Sequence, residues 1–275
     1  MTRLIKIIFA IIISATGLNA QNVFDESHSA DFADFLFKSG EYDKAAQEYL
    51  RLSFLSNNKT YKLRLLESYR LAGMPDKEYE AFYKLFDKPP FNDKNFVAEY
   101  LKMDISLNFA DDLIKKSSLL SQPELKTSYQ LSAYLISGEW QKAYDFANQL
   151  QGNIKNTRPV SDLITLTQEA VKIRLKKPWL ASLMSTVVPG SGKIYSGYFW
   201  DGIMSFLFSA SNAFLAYRGF SKYGTKSGLG WTFAGMGTFF YLGNIYGSYK
   251  AAIRKNNERK HKIYHKTKDI IDRSL

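Results

Sequence analysis

Residues 189–202 read Pro189-Gly190-Ser191-Gly192-Lys193-Ile194-Tyr195-Ser196-Gly197-Tyr198-Phe199-Trp200-Asp201-Gly202. Two segments without any Asp, Glu, Lys or Arg follow this stretch, residues 202–217 and 227–249. A glycine-rich, aromatic-rich turn leading into paired uncharged segments is typical of a compact helical hairpin in a lipid bilayer. The stretch therefore predicts an integral membrane protein, and it defines no reaction.

Small and polar residues within the uncharged segments indicate how the hairpin packs. Small residues recur at four-residue spacing: Ser205, Ser209 and Ala213 in the first segment, and Gly230 with Ala234 and Gly243 with Gly247 in the second. In lipid, such residues let helices approach closely enough for dispersion forces to hold them. Asn212 and Asn244 are intramembrane polar residues that we expect to face protein. The short loop at 221–226 makes the two helices antiparallel neighbours.

The residues on either side of the hairpin predict an interfacial helix and an export signal. Residues 179–188 are too few to cross about 30 Å of hydrocarbon, so we expect an interfacial or re-entrant helix there. Residues 1–20 combine a basic start at Arg3 and Lys6, an apolar run at 7–13 and a small-residue exit ending at Ala20. This pattern is typical of a signal peptide cleaved before Gln21. An uncleaved anchor helix is the alternative.

Residues 21–176 have a helical pattern interrupted by turns. The sequence around Gly40, Tyr42 and Ala45 recurs around Gly138, Trp140 and Ala143, and Gly73 stands between the two copies. A degenerate copy without glycine falls at 106–110. Gly73 stands 33 residues after Gly40, and Gly138 stands 98 residues after it, close to three times 33. A helix–turn–helix unit of 33–34 residues, with an aromatic and an alanine after the turn, resembles the tetratricopeptide repeat. That resemblance implies a helical solenoid with a concave face that binds a peptide or partner helix. An irregular helical bundle is the alternative.

The charge distribution favours a lipid partner. The net charge is +11, from 37 basic and 26 acidic residues. Residues 250–275 carry nine basic and three acidic residues, and a second basic cluster at 172–177 precedes the hairpin. Basic clusters beside apolar segments favour anionic lipid headgroups over nucleic acid. Because the chain has no cysteine, disulfides and thiol chemistry are excluded.

The hairpin motif resembles a known family. Its signature residues are Pro189, Gly190, Gly192, Tyr195, Gly197, Trp200 and Gly202. This Pro-Gly-x-Gly-x-x-Tyr-x-Gly pattern, followed by paired spans, resembles the bacterial two-transmembrane-helix domain family. Residues 212–220 and 243–247 look like the version found in envelope proteins with a repeat domain in front. The resemblance covers about 179–252 and implies a fold and a membrane location, but no activity.

No catalytic, cofactor or metal site emerges from the sequence. Residues 190–193 lack the spacing of a phosphate-binding loop. His261 and His265 are four residues apart without a third ligand. We therefore predict a protein that is not an enzyme and needs no cofactor or metal.

Together these patterns predict an all-α protein with a signal peptide (1–20), a tetratricopeptide-like repeat domain (21–176), a membrane domain (177–252) and a basic tail (253–275). We predict an inner-membrane protein whose periplasmic repeat domain binds an envelope protein or peptide as an adaptor or scaffold. The small-residue helix faces also allow a homo-oligomer. The rival interpretation is a small oligomeric channel, transporter or insertion-assisting protein, in which Asn212, Asn244, Lys193 and Tyr195 line a site.

Two rules disagree about the side of the membrane on which the tail lies. Export of the repeat domain and a two-helix hairpin place the tail outside the cytoplasm. The positive-inside preference places the basic tail in the cytoplasm, which requires a third crossing through 179–200. We favour two crossings, because a charge preference is weaker than an export signal.

Overall fold

The computed structural model describes residues 25–86, 92–150 and 152–274. The predicted signal peptide lies outside these residues. Within them the chain forms thirteen α-helices, two short 3-10 helices and no strand, which confirms the all-α prediction. The α-helices are α1 (Glu26–Lys38), α2 (Tyr42–Leu55), α3 (Lys59–Leu71), α4 (Pro75–Leu85), α5 (Lys94–Ser106), α6 (Ala110–Ser117), α7 (Pro123–Ser137), α8 (Trp140–Gln149), α9 (Val160–Val171), α10 (Pro178–Val187), α11 (Ser191–Tyr195), α12 (Phe199–Tyr223) and α13 (Gly228–Ser274).

The described residues form two compact units. The first unit contains residues 25–86, 92–112 and 119–121, and the second contains 113–118, 122–150 and 152–274. The domain boundary predicted at residue 176 therefore lies inside the second unit. Part of the predicted repeat region and the whole predicted membrane domain belong to one compact body.

The first unit is held by a core from α1 to α5. The starts of α1 and α3 are capped by side chains: Asp25 accepts from the backbone N–H of His28 at 2.7 Å, and Asn58 accepts from that of Thr60 at 2.9 Å. Such caps satisfy backbone donors that a helix start leaves unpaired. The largest fully buried side chains of this core are Tyr49, Phe82, Tyr100, Leu52, Leu65, Leu66 and Met103.

The same turn closes four helices of the predicted repeat region, and it recurs at Gly197 after α11. Gly40, Gly73, Asn108 and Gly138 all have positive φ, between 58° and 81°. In each turn this residue donates its N–H to the carbonyl three residues back, and the next residue donates to the carbonyl five residues back. Asn108 fills the turn in the copy where the sequence lacks glycine, because asparagine is the other residue that tolerates the left-handed region.

After two of these turns, an alanine lies where the neighbouring helices pack closely. Ala45 and Ala143 are fully buried. The Tyr42 ring meets Phe37 edge-on at 5.4 Å, and Trp140 Nε1 donates to the Leu135 carbonyl at 3.2 Å. The aromatic residue after the turn thus packs against the helix before it.

The second unit is organised around α13, which runs without interruption for 47 residues, about 70 Å. Its second half packs against α7 and α9 and buries Ile263, Thr267 and Ile271. The structure therefore differs from the prediction of a separate basic tail. The helix continues because no Gly or Pro follows Gly247 and because Lys, Arg and Glu are good helix formers.

The first half of α13 forms an antiparallel hairpin with α12. A Cβ on Gly237 would lie 3.2 Å from Asn212 Cβ, and one on Gly219 would lie 2.8 Å from Gly230. These two close approaches define the register of an antiparallel pair. The antiparallel arrangement agrees with the prediction from the short loop. In this register Ser205 lies level with Asn244, and Asn212 with Gly237, so the two asparagines are not level. The helices α10 and α11 pack against the hairpin.

Across the described part of the chain, no helix has both the length and the apolar character that crossing a membrane requires. The two predicted spans lie within α12 and the first half of α13. Glycine, serine, asparagine and tyrosine residues lower the mean hydropathy of both segments. The absence of charged residues, on which the prediction of two spans rests, does not reflect that effect.

Candidate ligand site in the helical hairpin

Two glycines of the motif allow backbones to touch. Gly190 has φ of +89°, and a Cβ there would lie 2.0 Å from the Gly202 carbonyl oxygen. A Cβ on Gly202 would lie 2.5 Å from Ile194 Cγ1. The start of α12 therefore packs directly on the turn between α10 and α11, which a larger residue at either position would prevent.

Gly192 makes the tightest approach. A Cβ there would lie 1.8 Å from the Ala181 carbonyl oxygen of α10. The Gly192 N–H donates to Ser185 Oγ at 2.9 Å, and that hydroxyl also pairs with Ser248 Oγ of α13 at 2.7 Å. A buried polar chain thus joins α11, α10 and α13, and the sequence analysis missed it because serine is common in such segments.

The other motif residues take structural places. Tyr195 Oη accepts from the Lys177 N–H at 3.1 Å, and the Lys176 ammonium lies 4.5 Å from its ring centroid. Gly197 has φ of +92°. Trp200 is exposed, and Pro189 borders an apolar groove described below. The Tyr195 side chain therefore stabilises the start of α10.

A polar cluster ties the start of α12 to α13. Tyr198 Oη donates to Glu258 Oε1 at 2.5 Å, and Arg254 stacks on the Tyr198 ring at 4.0 Å. The hydrogen bond from Tyr198, helped by Lys255, lowers the pKa of Glu258. Arg254 also pairs with Asp201 at 3.6 Å.

A cavity of about 360 Å³ opens between the start of α12 and α13. Its walls are mainly apolar. The lining residues are Lys193, Asp201, Met204, Ser205, Phe208, Phe239, Phe240, Gly243 and Asn244. A volume of this size lies in the range of small-ligand clefts.

Asn244 is the most unusual residue in this cavity. It is 4% exposed, and neither its Oδ1 nor its Nδ2 has a hydrogen-bond partner within the described structure. Asn212 differs, because its Nδ2 donates to the Phe208 carbonyl at 2.8 Å. The structure therefore separates the two predicted intramembrane polar residues: Asn212 is satisfied by its own helix, whereas Asn244 is unsatisfied at a cavity wall.

Lys193 reaches the same cavity from α11. Its Nζ donates to Ser205 Oγ at 2.7 Å. Its Cε lies 3.3 Å from the position that a Cβ on Gly247 would take, so a larger residue at 247 would crowd the lysine. In the described parts of the chain Lys193 forms no ion pair. The cavity thus combines a half-buried cation with mainly apolar walls, whereas the amide atoms of Asn244 are buried and do not open onto it.

A second, apolar groove lies on another face of the same helices. Its volume is about 520 Å³. Small residues of the predicted packing lines border it, including Ser209, Ala213 and Ala234. The Ser209 Oγ is buried there without a partner among the described residues. Part of the small-residue surface is therefore open rather than filled by the neighbouring helix.

An exposed aromatic cluster lies on the first unit. The Tyr79 ring contacts Tyr83 at 4.7 Å and Phe109 at 6.0 Å, and each of the three is more than one third exposed. Tyr83 Oη pairs with Tyr100 Oη at 2.8 Å, and burial raises the pKa of Tyr100 to about 12. No sequence pattern indicates this cluster, because it depends on how α4 packs beside the turn after α5.

No protein-family model, curated protein or solved structure matches the chain. The resemblances described above therefore rest on the quoted residues alone. Within 25–86, 92–150 and 152–274 no group of three His, Cys, Asp or Glu residues is placed to hold a metal ion.

Proposed function

We propose that this chain is a membrane-anchored protein of the bacterial cell envelope. In this proposal the α12–α13 hairpin lies in the inner membrane, and the tetratricopeptide-like helices lie in the periplasm and bind a protein partner as an adaptor. The protein is not an enzyme.

The observation that carries the anchor is an apolar belt around the hairpin. The belt consists of the exposed, large apolar residues of segments 202–217 and 227–249, such as Leu207, Phe214, Leu229, Trp231, Phe239 and Leu242. Large exposed apolar patches are rare on soluble monomers and mark sites of protein or membrane contact. Lipid hydrocarbon would cover the exposed apolar residues on several faces of the hairpin at once.

The distribution of residues supports the anchor better than the average composition of either helix. The polar residues Ser209, Asn212, Asn244 and Ser248 are buried, whereas the belt faces outward. Ser211, Thr232 and Thr238 are exposed, and the two threonine hydroxyls donate to carbonyls of their own helix. The mean hydropathy of a whole helix includes the residues that face inward, although those residues do not contact lipid. Polar side chains inside a membrane characteristically face protein in this way.

Groups at the two ends of the belt fit the two membrane interfaces. Trp200 and Trp231 are exposed near opposite ends of the hairpin. Lys222 and Lys226 lie at the loop end, and Lys250 and Arg254 lie at the other end. Tryptophan and basic residues are enriched at such boundaries.

The packing of α13 supports two crossings. Its second half packs on α7 and α9 inside one compact unit, and Lys266 pairs with Glu169 of α9. Residues 253–274 therefore lie on the same side of any membrane around the hairpin as residues 122–171. An exported repeat region then brings the basic tail to the periplasm, against the charge preference.

Cysteine labelling tests this topology, because the chain has no cysteine of its own. We expect Ser274→Cys to react with an impermeant maleimide applied to the periplasm of intact cells. Thr225→Cys, in the exposed hairpin loop, is the matched control and should react only after the inner membrane is opened. Labelling of Thr225→Cys together with protection of Ser274→Cys would contradict the proposed topology.

The four related turns support a repeat that binds a partner. The helix–turn–helix pairs of the first unit are consistent with repeats of this kind, and such repeats act through a binding surface. The exposed cluster of Tyr79, Tyr83 and Phe109 supplies a rigid aromatic surface of the kind enriched at interaction hot spots.

A double substitution tests the partner surface. In full-length chain crosslinked in intact cells, Tyr79→Ala with Phe109→Ala should lower recovery of the principal crosslinked protein about tenfold, because anchoring aromatics carry most of an interface's energy. Phe54→Ala removes an exposed aromatic from the end of α2 and should leave recovery unchanged. Equal recovery from the double variant and the unsubstituted chain would exclude this surface.

A further inference from the structure

Two histidines form an exposed pair in the second half of α13. His261 and His265 are four residues apart, so both side chains lie on one face of the helix. Their Nε2 atoms are 2.8 Å apart, and their ring centroids are 4.1 Å apart. Because both residues are exposed, an ion in solution can reach the two nitrogens.

The helix that carries the pair is held in place on its opposite face. Ile263 and Thr267 are buried there, and Lys266 pairs with Glu169 of α9. Two ligands on a backbone that is already fixed lose little conformational freedom when they bind an ion. The fold therefore positions both histidines before an ion arrives.

The donor atoms select a class of metal ion. Calcium and magnesium prefer oxygen ligands, whereas imidazole nitrogen suits copper, nickel and zinc. Lys260, Lys262 and Lys266 flank the pair in sequence, and their charges oppose a cation held by electrostatic attraction alone. Strong metal–nitrogen bonds are needed to offset that repulsion, and copper(II) forms the tightest complexes among the divalent first-row ions.

The spacing of the two nitrogens favours a square-planar ion. Bonds from imidazole nitrogen to such metals are about 2.0–2.1 Å long. Two Nε2 atoms held 2.8 Å apart therefore subtend roughly 90° at the ion. Neighbouring ligands of a square-planar or tetragonal ion stand at that angle, whereas tetrahedral zinc requires about 109°.

We infer that His261 and His265 form a copper(II) site, with water in the remaining coordination positions. Without the ion, one Nε2 donates a hydrogen bond to the other. When copper binds, both rings carry their proton on Nδ1 and turn the Nε2 lone pairs toward the ion. This site goes beyond the proposed function, because neither the membrane anchor nor the partner surface involves a metal.

Copper titration of the full-length chain, purified in detergent without a histidine tag, tests the inference. Electron paramagnetic resonance should show one tetragonal copper(II) per chain with two nitrogen ligands, and zinc should bind more weakly. His261→Asn and His265→Asn should each weaken copper binding about 100-fold, because even residues that only support a ligand contribute about 10–100-fold. His28→Asn removes the third histidine of the chain and should leave the affinity unchanged.

A displaced histidine distinguishes chelation from histidine content. Adding Lys268→His to His265→Asn keeps two histidines on α13 but places them seven residues apart, about 10 Å along the helix axis. This chain should bind copper no better than His265→Asn alone. Copper affinity that survives both single substitutions, or that the displaced histidine restores, would overturn the site. Tighter binding of zinc than of copper would contradict the square-planar geometry.

Discussion

Replacing Gly192 by alanine is expected to destabilise the hairpin unit severely. The new methyl group would lie 1.8 Å from the Ala181 carbonyl oxygen and 2.7 Å from Ser185 Oγ. Because the nearest atom belongs to the backbone, relief of the clash requires α10 and α11 to separate, which breaks the hydrogen bond from the Gly192 N–H to Ser185 Oγ. Overpacking against backbone should cost at least about 3 kcal/mol and lower the unfolding temperature by about 10 °C. Thermal unfolding of the full-length chain, followed by circular dichroism, measures this.

Gly235→Ala is the matched control. Gly235 belongs to the same hairpin, and a Cβ there meets nothing within 4 Å. Alanine should therefore be neutral or stabilise α13 by up to about 1 kcal/mol through helix propensity. A Gly192→Ala chain that unfolds at the same temperature as Gly235→Ala would show that the close approach of α10 and α11 is wrong.

The sequence predicted much of the local architecture because turn chemistry is local. Gly40, Gly73 and Gly138 close the turns at which they were expected. Asn108 was not assigned to its turn, although asparagine is the residue that most readily replaces glycine there. The sequence does not indicate that α13 continues past Tyr249, because the change there from apolar to charged composition resembles the end of an element. Helix propensity does not change at that point.

The candidate site could be predicted in its residues but not in its arrangement. Lys193, Tyr195, Asn212 and Asn244 were named together as the rival interpretation. Which of them share a cavity depends on the register between α12 and α13 and on the position of α11, and neither has a local signal. The structure places Lys193 and Asn244 at one cavity, and it uses Tyr195 and Asn212 in backbone hydrogen bonds.

A lysine in the apolar belt is expected to weaken membrane association strongly. Leu242 is 59% exposed on the hairpin, and Leu55 is 60% exposed at the end of α2 in the first unit. Placing a lysine in hydrocarbon costs about 2.5–3.5 kcal/mol. Leu242→Lys should therefore lower the membrane partition coefficient about 100-fold. Leu55→Lys adds the same charge at equal exposure and should have no effect, because the proposal places that residue in water.

Flotation of the full-length chain with phosphatidylglycerol–phosphatidylcholine vesicles tests the membrane anchor most directly. The account predicts that the unsubstituted chain and Leu55→Lys float with the vesicles, while most of Leu242→Lys stays in the aqueous fraction with unchanged helicity. If Leu242→Lys floats as well as Leu55→Lys, or if the unsubstituted chain does not float, the belt does not lie in lipid.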